Sequence, residues 1–251
     1  MRPIRALLFA VLSAVLASAI VYFAVVRPRV RDWGFDPLEA ELPMPGDDLI
    51  PEPSATETRG ITIDAPPDKV WPWLVQMGYQ RGGWYSYDAL DTRHPPADRI
   101  LPEFQSLKVG DTVPYGPGSG FRVEAVDPER ELVLYVDADL ARHQAEQAVA
   151  EGVLPEEASR ASYPEFSASW AFSLKPIGDD KTRLIERFRA RTPGAGPVKA
   201  VMGEIMGTGL VLMGRKQMIG IKERVERLAY EVPAAASNTE STETTESAFI
   251  S

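Results

Sequence analysis

Between Ala6 and Val26 the chain runs ALLFAVLSAVLASAIVYFAVV, without a single charge and with Ser13 and Ser18 as its only small polar side chains. A helix of that length, at 1.5 Å per residue, reaches about 31 Å and matches the roughly 30 Å hydrocarbon core of a bilayer. Tyr22 and Phe23 suit the interface near one end, and Arg2, Arg5, Arg27, Arg29 and Arg31 fence both ends. The segment predicts a single-pass membrane anchor within residues 1–31. Ala17-Ser18-Ala19 also has the form of a leader-cleavage site. Cleavage there would leave the apolar terminus Ile-Val-Tyr-Phe-Ala-Val-Val, which favours the uncleaved anchor. We place the soluble part on the cytoplasmic side, although the flanking arginines balance and do not force that orientation.

The remainder divides into three stretches. Residues 32–59 carry Pro37, Pro43, Pro45, Pro51 and Pro53 among scattered acids and read as an extended linker. Residues 60–232 hold the folded domain. Residues 233–251 are mostly Ala, Ser, Thr and Glu with little to bury, so they read as a disordered tail. A net charge of -9 excludes nucleic acid as a partner. With no cysteine and only His94 and His143, thiolate nucleophiles, disulfides and the usual metal sites are excluded, and no cofactor is expected.

Within the domain, Ile61–Asp64 reads as a short strand. Asp64 is a plausible N-cap for a helix that carries Pro66 and Pro67 in its first turn and runs to Met77, bent at Pro72. A second short helix is expected over Tyr85–Leu90. Val113–Tyr115, Phe121–Val126 and Leu132–Val136, separated by Gly/Pro and Asp-Pro turns, read as antiparallel strands. An Ala- and Glu-rich helical stretch occupies 138–161. Then Phe166–Leu174 alternates large apolar with small residues, and Thr182–Arg191 puts Leu184, Glu186, Phe188 and Ala190 on one face. Its other face carries Arg183, Arg187, Arg189 and Arg191. That basic row suits either anionic lipid head groups or pairing with the protein's own acids.

A long helix over Val198–Tyr230 closes the domain. Its second half is amphipathic, but Ile205–Gly214 carries no charge on any side. A sheet covers only one face of a helix, so the rest needs loops, a ligand or lipid.

Four motifs carry a resemblance: Ile61-Thr-Ile-Asp-Ala-Pro-Pro, Val70-Trp-Pro-Trp-Leu-Val-Gln-Met-Gly, Arg81-Gly-Gly-Trp-Tyr-Ser-Tyr-Asp and Met213-Gly-Arg-Lys-Gln-Met-Ile-Gly-Ile-Lys. With the order of elements, they resemble a membrane-linked branch of the SRPBCC superfamily, which includes START lipid-transfer domains and polyketide cyclases. The resemblance implies an α+β helix-grip fold, an antiparallel sheet wrapped around the long C-terminal helix, here preceded by one transmembrane helix. It also implies a cavity for a hydrophobic small molecule between sheet and helix, with the 138–161 insertion placed to cover its mouth. No catalytic residue set comes with it.

The residues expected to line that cavity are Trp73, Met77, Trp84, Tyr85, Phe121, Trp170, Phe172, Glu186, Phe188, Met202, Met206 and Met213. Each has a plainer alternative as core packing. Glu186 stands out as a carboxylate on an otherwise apolar face, where an ion pair with an arginine is the plainer role and an anchor for a ligand's polar head the functional one. The cluster Trp84, Tyr85, Tyr87, Asp88 and Asp91 could edge the entrance or simply pack a short helix. The function expected is a membrane-tethered binding or transfer module for a lipid, isoprenoid or similar molecule. The enzymatic alternative is a cyclase- or dehydratase-like reaction with Glu186 and Tyr85 sharing the proton. A groove filled by the protein's own side chains would instead leave a tethered scaffold.

Overall fold

The computed structural model describes residues 13–14, 17–18, 20–26, 34, 37–88, 94–159, 165–194 and 196–236, with the side chains of the last helix described over 207–228. Six strands form one antiparallel sheet: β1 Ala55–Ile63, β2 Thr112–Gly116, β3 Ser119–Asp127, β4 Glu131–Asp137, β5 Ser167–Ile177 and β6 Lys181–Arg191. Their order is β1-β6-β5-β4-β3-β2, so every strand but the first pairs with its neighbour in sequence. The α-helices are α1 Pro37–Glu41, α2 Pro67–Val75, α3 Ala138–Ala150, α4 Glu156–Ser159 and α5 Pro197–Ala236, with an amino-terminal helical segment that ends in a π-helix over Tyr22–Val26 and a 3-10 turn over Pro102–Phe104. α5 crosses the inner face of the sheet in the helix-grip arrangement that the resemblance implied.

Strands β2 to β4 extend each expected run by one or two residues at its ends, β5 runs on to Ile177 past the expected Leu174, and β6 gains only Lys181, because hairpin pairing continues past the apolar positions that mark a strand in sequence. The core lies between the inner face and the two helices α2 and α5. Trp73, Leu74 and Met77, in and just after α2, meet Leu132, Leu134, Phe172, Leu174 and Leu184 of the sheet and Met218, Ile221 and Val225 of α5. Each such side chain, fully withdrawn from water, contributes about 1.5–3 kcal/mol.

Three expectations are corrected. The 32–59 stretch is not a free linker: β1 begins at Ala55, and residues before it pack on the outer face of the sheet. There Met44 is buried with Val133, Ala171 and Ile185. Ile50 is 2% exposed. Apart from the short α1, the stretch has no regular structure before β1, but its apolar residues still find the sheet. The basic row is what fastens this strap. Arg183 bonds Glu39, Arg189 pairs with Asp47, and Arg187 bonds Asp47, Thr58 and the carbonyls of Glu39, Ala40 and Leu42. Of the two roles weighed for the row, these three arginines take the pairing with acids.

Second, Asp64 does not cap α2. The cap position is Pro66, which has no side-chain acceptor. The Asp64 carboxylate instead accepts from Lys181 at 2.8 Å. Third, residues 85–87 form bends with Tyr85 at φ 58°, so the expected helix over Tyr85–Leu90 does not start there. Its last two residues, like Asp91, lie outside the described ones.

Among the described residues no helix is long and apolar enough to cross a membrane. Of the expected anchor over 6–26, residues 6–12, 15, 16 and 19 lie outside them, as do residues 237–251 of the tail. The helix α5 itself continues to Ala236, four residues into the stretch expected to be disordered.

Candidate functional site

Glu186 points to the inner face, as its alternation with Leu184 and Phe188 requires. It lies directly across from Arg59 in the β1–β6 register. Arg59 Nη1 donates to Glu186 Oε1 at 2.8 Å, and Trp170 Nε1 donates to the same oxygen at 2.9 Å. Arg59 also reaches Glu57 through its other terminal nitrogen. Glu186 is 2% exposed and Arg59 3%, so this is a buried pair. Its other oxygen, Oε2, is buried with no hydrogen-bond partner among the described residues. Buried acceptors are seldom left so, because the lost solvation costs about 1–3 kcal/mol.

Around this carboxylate stand aromatic rings. Trp84 and Trp170 stack with centroids 5.4 Å apart, and Phe121, Phe172 and Phe188 meet the Trp170 ring at 5.6, 5.2 and 6.3 Å. Tyr115 adds an edge contact to Phe121. Trp170, Phe121 and Phe188 are only half-buried. α3, within the expected insertion, lies on this side: Ala141 packs with Val136 and Ala168, against which Phe121 and Phe188 also sit. Asp137 caps α3 by accepting from the Leu140 amide.

The loop that delivers Trp84 is held by its own polar groups. Asp88, 2% exposed, accepts from the Trp84 and Ser86 amides. The Ser86 hydroxyl donates to the Met213 carbonyl of α5. Asp88 is therefore structural, while Tyr87 lies exposed at the surface.

The structure divides the expected lining residues into two groups. Trp73, Met77, Tyr85 and Phe172 are each 1% exposed and fill the deep half of the groove together with Met218 and Ile221. The expected cavity does not extend there, because large side chains from α2, the sheet and α5 meet directly. Trp84, Phe121, Trp170, Glu186 and Phe188 gather at the outer half, and Met213 lies half-buried on α5. The side chains of Met202 and Met206 lie outside the described residues. A separate cavity of about 240 Å³ opens between α3 and the β2–β3 hairpin. Its rim of Gln144, Gln147 and Glu151 does not suit an apolar ligand.

Glu186 and Tyr85 belong to different networks. The Tyr85 hydroxyl accepts from Gln76 at 2.8 Å, and Gln76 also bonds the Arg99 carbonyl and the Leu101 amide. Burial pushes the Tyr85 phenol well above the ordinary phenol range, with the bond from Gln76 opposing it. A shared proton between Glu186 and Tyr85 has no geometric support here.

Sequence reasoning missed Arg59 and Gly214. Arg59 was hidden by its place in the presumed linker, although its two-residue spacing from Ile61 and Ile63 marks the inner face. Gly214 of α5 covers the ion pair: a Cβ built there would lie 2.3 Å from Arg59 Nη1 and 3.2 Å from Glu186 Oε1.

No family model and no curated protein matches the chain. Among solved structures it is similar to a conserved protein from Geobacillus kaustophilus at 13% identity, with 69% of this chain and 96% of that one covered and a TM-score of 0.35. Protein MLL2253 from Mesorhizobium loti gives 16%, with 69% and 98% covered and a TM-score of 0.36. The Polyketide_cyc-like protein Cgl2372 from Corynebacterium glutamicum gives 14%, with 74% and 96% covered and a TM-score of 0.28. At scores this low the likenesses carry no argument, and the fold rests on the strand order and helix placement above.

Proposed function

We propose that this protein is a membrane-tethered binding module for an amphipathic small molecule, a lipid, isoprenoid or similar compound with an apolar body and one hydrogen-bond donor. The observation that carries this reading is the unpartnered Oε2 of buried Glu186 beside half-buried Trp170, Phe121 and Phe188. The rings offer an apolar wall, and the free carboxylate oxygen offers an acceptor for a hydroxyl or amine. The packed deep groove confines the ligand to the outer half, so the head group meets Glu186 and the tail follows the rings. The tether rests on the uncharged 6–26 segment, and membership of the SRPBCC superfamily rests on the motifs and the strand order.

A pair of probes tests the donor directly. Hexadecanol and its methyl ether, which lacks the donor, are titrated into detergent-purified protein while tryptophan emission from the Trp84–Trp170 stack is followed. The alcohol is expected to bind about tenfold or more tighter than the ether, the difference a hydrogen bond to a charged group supplies. Equal affinities, or no response to either, would overturn the reading.

A further inference from the structure

The uncharged part of α5 leaves large side chains in the open. Leu210 and Leu212 are 42% and 41% exposed, on either side of buried Val211. In the amino-terminal segment Ile20, Val21 and Val25 are exposed as well, at 58%, 54% and 41%. The two groups are joined: the Tyr22 hydroxyl is hydrogen-bonded to the Thr208 hydroxyl across 186 positions of sequence. Leucines, isoleucines and valines thus show from two adjoining helical segments, one belonging to the stretch read as an anchor. Patches of this kind mark contact with another apolar phase.

Charges flank this stretch: Arg27 follows Tyr22 by five residues, while Glu204 precedes Thr208 by four and Arg215 follows it by seven. Glu204 and Lys199, earlier in α5, are too costly to carry into the hydrocarbon centre. We infer that the uncharged part of α5, around Thr208 to Leu212, lies in the membrane interface against the end of the amino-terminal helix. The lipid bilayer is then what covers Leu210 and Leu212. Gly214, which closes over Arg59 and Glu186, follows two residues later, so the aromatic mouth opens at the bilayer surface and a ligand enters from lipid without crossing water. This inference rests on the tethered reading above.

The chain contains no cysteine, which permits a clean test on the full-length protein. Single Leu210→Cys, Leu212→Cys, Ile20→Cys and Val153→Cys variants are labelled with an environment-sensitive fluorophore in vesicles of phosphatidylcholine and phosphatidylglycerol. A fraction of the lipid carries a quencher high on its acyl chain. Val153 is 57% exposed beyond the end of α3 and serves as the aqueous reference. Labels at 210 and 212 are expected to shift to the blue and lose most of their emission, as at 20, while the label at 153 does neither. Quenching at 20 but not at 210 and 212 would overturn the interfacial helix and leave the tether standing. No quenching at 20 would remove the tether, and this inference with it.

Discussion

Gly214 lies against Arg59 so closely that even a methyl group at that position would stand 2.3 Å from Nη1 and 2.9 Å from Cζ of the guanidinium. Arg59 is tied to Glu186 on one side and Glu57 on the other, so it cannot yield without breaking an ion pair. Gly214→Ala is therefore expected to destabilise by about 1–3 kcal/mol, the usual range for overpacking. The gain in helix propensity, at most about 1 kcal/mol, runs the other way and is outweighed. Urea unfolding checks this. A variant as stable as the parent would mean that α5 can lift off the pair.

A buried ion pair is weak support for stability, because both charges lose their water. Glu186→Gln leaves Arg59 buried with only Glu57, and the loss is expected near 3 kcal/mol, at the low end of broken buried pairs. Replacing both partners, Arg59→Met with Glu186→Leu, removes both desolvation costs and is expected to recover most of that loss. The double variant should nonetheless lose discrimination between the alcohol and the ether. A double-mutant cycle with both readouts separates structure from binding.

The sheet was legible because its strands alternate: Phe166 to Leu174 and Leu184 to Ala190 each put large apolar groups on one side, and pairing followed. β1 was legible only from Ile61 onward. Its first half, Ala-Thr-Glu-Thr-Arg, reads as loop because its inner positions carry the charged pair Glu57 and Arg59. On its outer side Thr58 lies under the strap and is bonded to Arg187. The strap was hidden for a related reason, since its partners are arginines on a face that a two-state apolar pattern assigns to solvent. The glycines of Met213 to Lys222 were visible as a motif but not as a cause. Gly214 admits Arg59, and Gly220 admits the Tyr85 backbone, whose carbonyl would be 2.2 Å from a Cβ there. Which tertiary neighbour demands a missing side chain is not written in local sequence.

Arg187 tests the strap. It is 3% exposed and donates to Thr58, Asp47 and three carbonyls of residues 39–42. Arg187→Ala strands those acceptors, and a loss of about 3 kcal/mol is expected. Arg187→Lys should restore little, because one ammonium cannot reproduce a planar fork bonded on several sides. Limited proteolysis is the sharper measurement: new cuts are expected between residues 37 and 53 in the alanine variant while the sheet stays resistant. An unchanged digestion pattern would show that Met44 and Ile50 hold the strap by packing alone.

Alkaline pH tests the Tyr85 network. Burial raises its phenol well above the ordinary value of 10.0, against the opposing bond from Gln76 and the Arg224 charge. The Arg224 guanidinium lies 4.9 Å from the ring centroid. In the unfolded chain Tyr85 ionises near pH 10, while in the folded chain it stays protonated. The folded state then binds the extra proton, so stability falls as pH rises above 10, by about 1.4 kcal/mol per unit for one such group. Tyr135, pushed up to about 12 by burial and by Asp137, acts in the same direction until pH reaches that value. Tyr85→Phe costs about 1 kcal/mol at neutral pH through the lost hydrogen bond, while Gln76 keeps its bonds to Arg99 and Leu101. Above pH 10 the variant should lose stability less steeply than the parent, and the two curves should converge and cross. Urea midpoints between pH 9 and 11.5 measure this, with phenolate absorbance reporting ionisation. Parallel curves would mean that Tyr85 ionises as readily in the folded protein as out of it, and that its seat beneath α5 admits water.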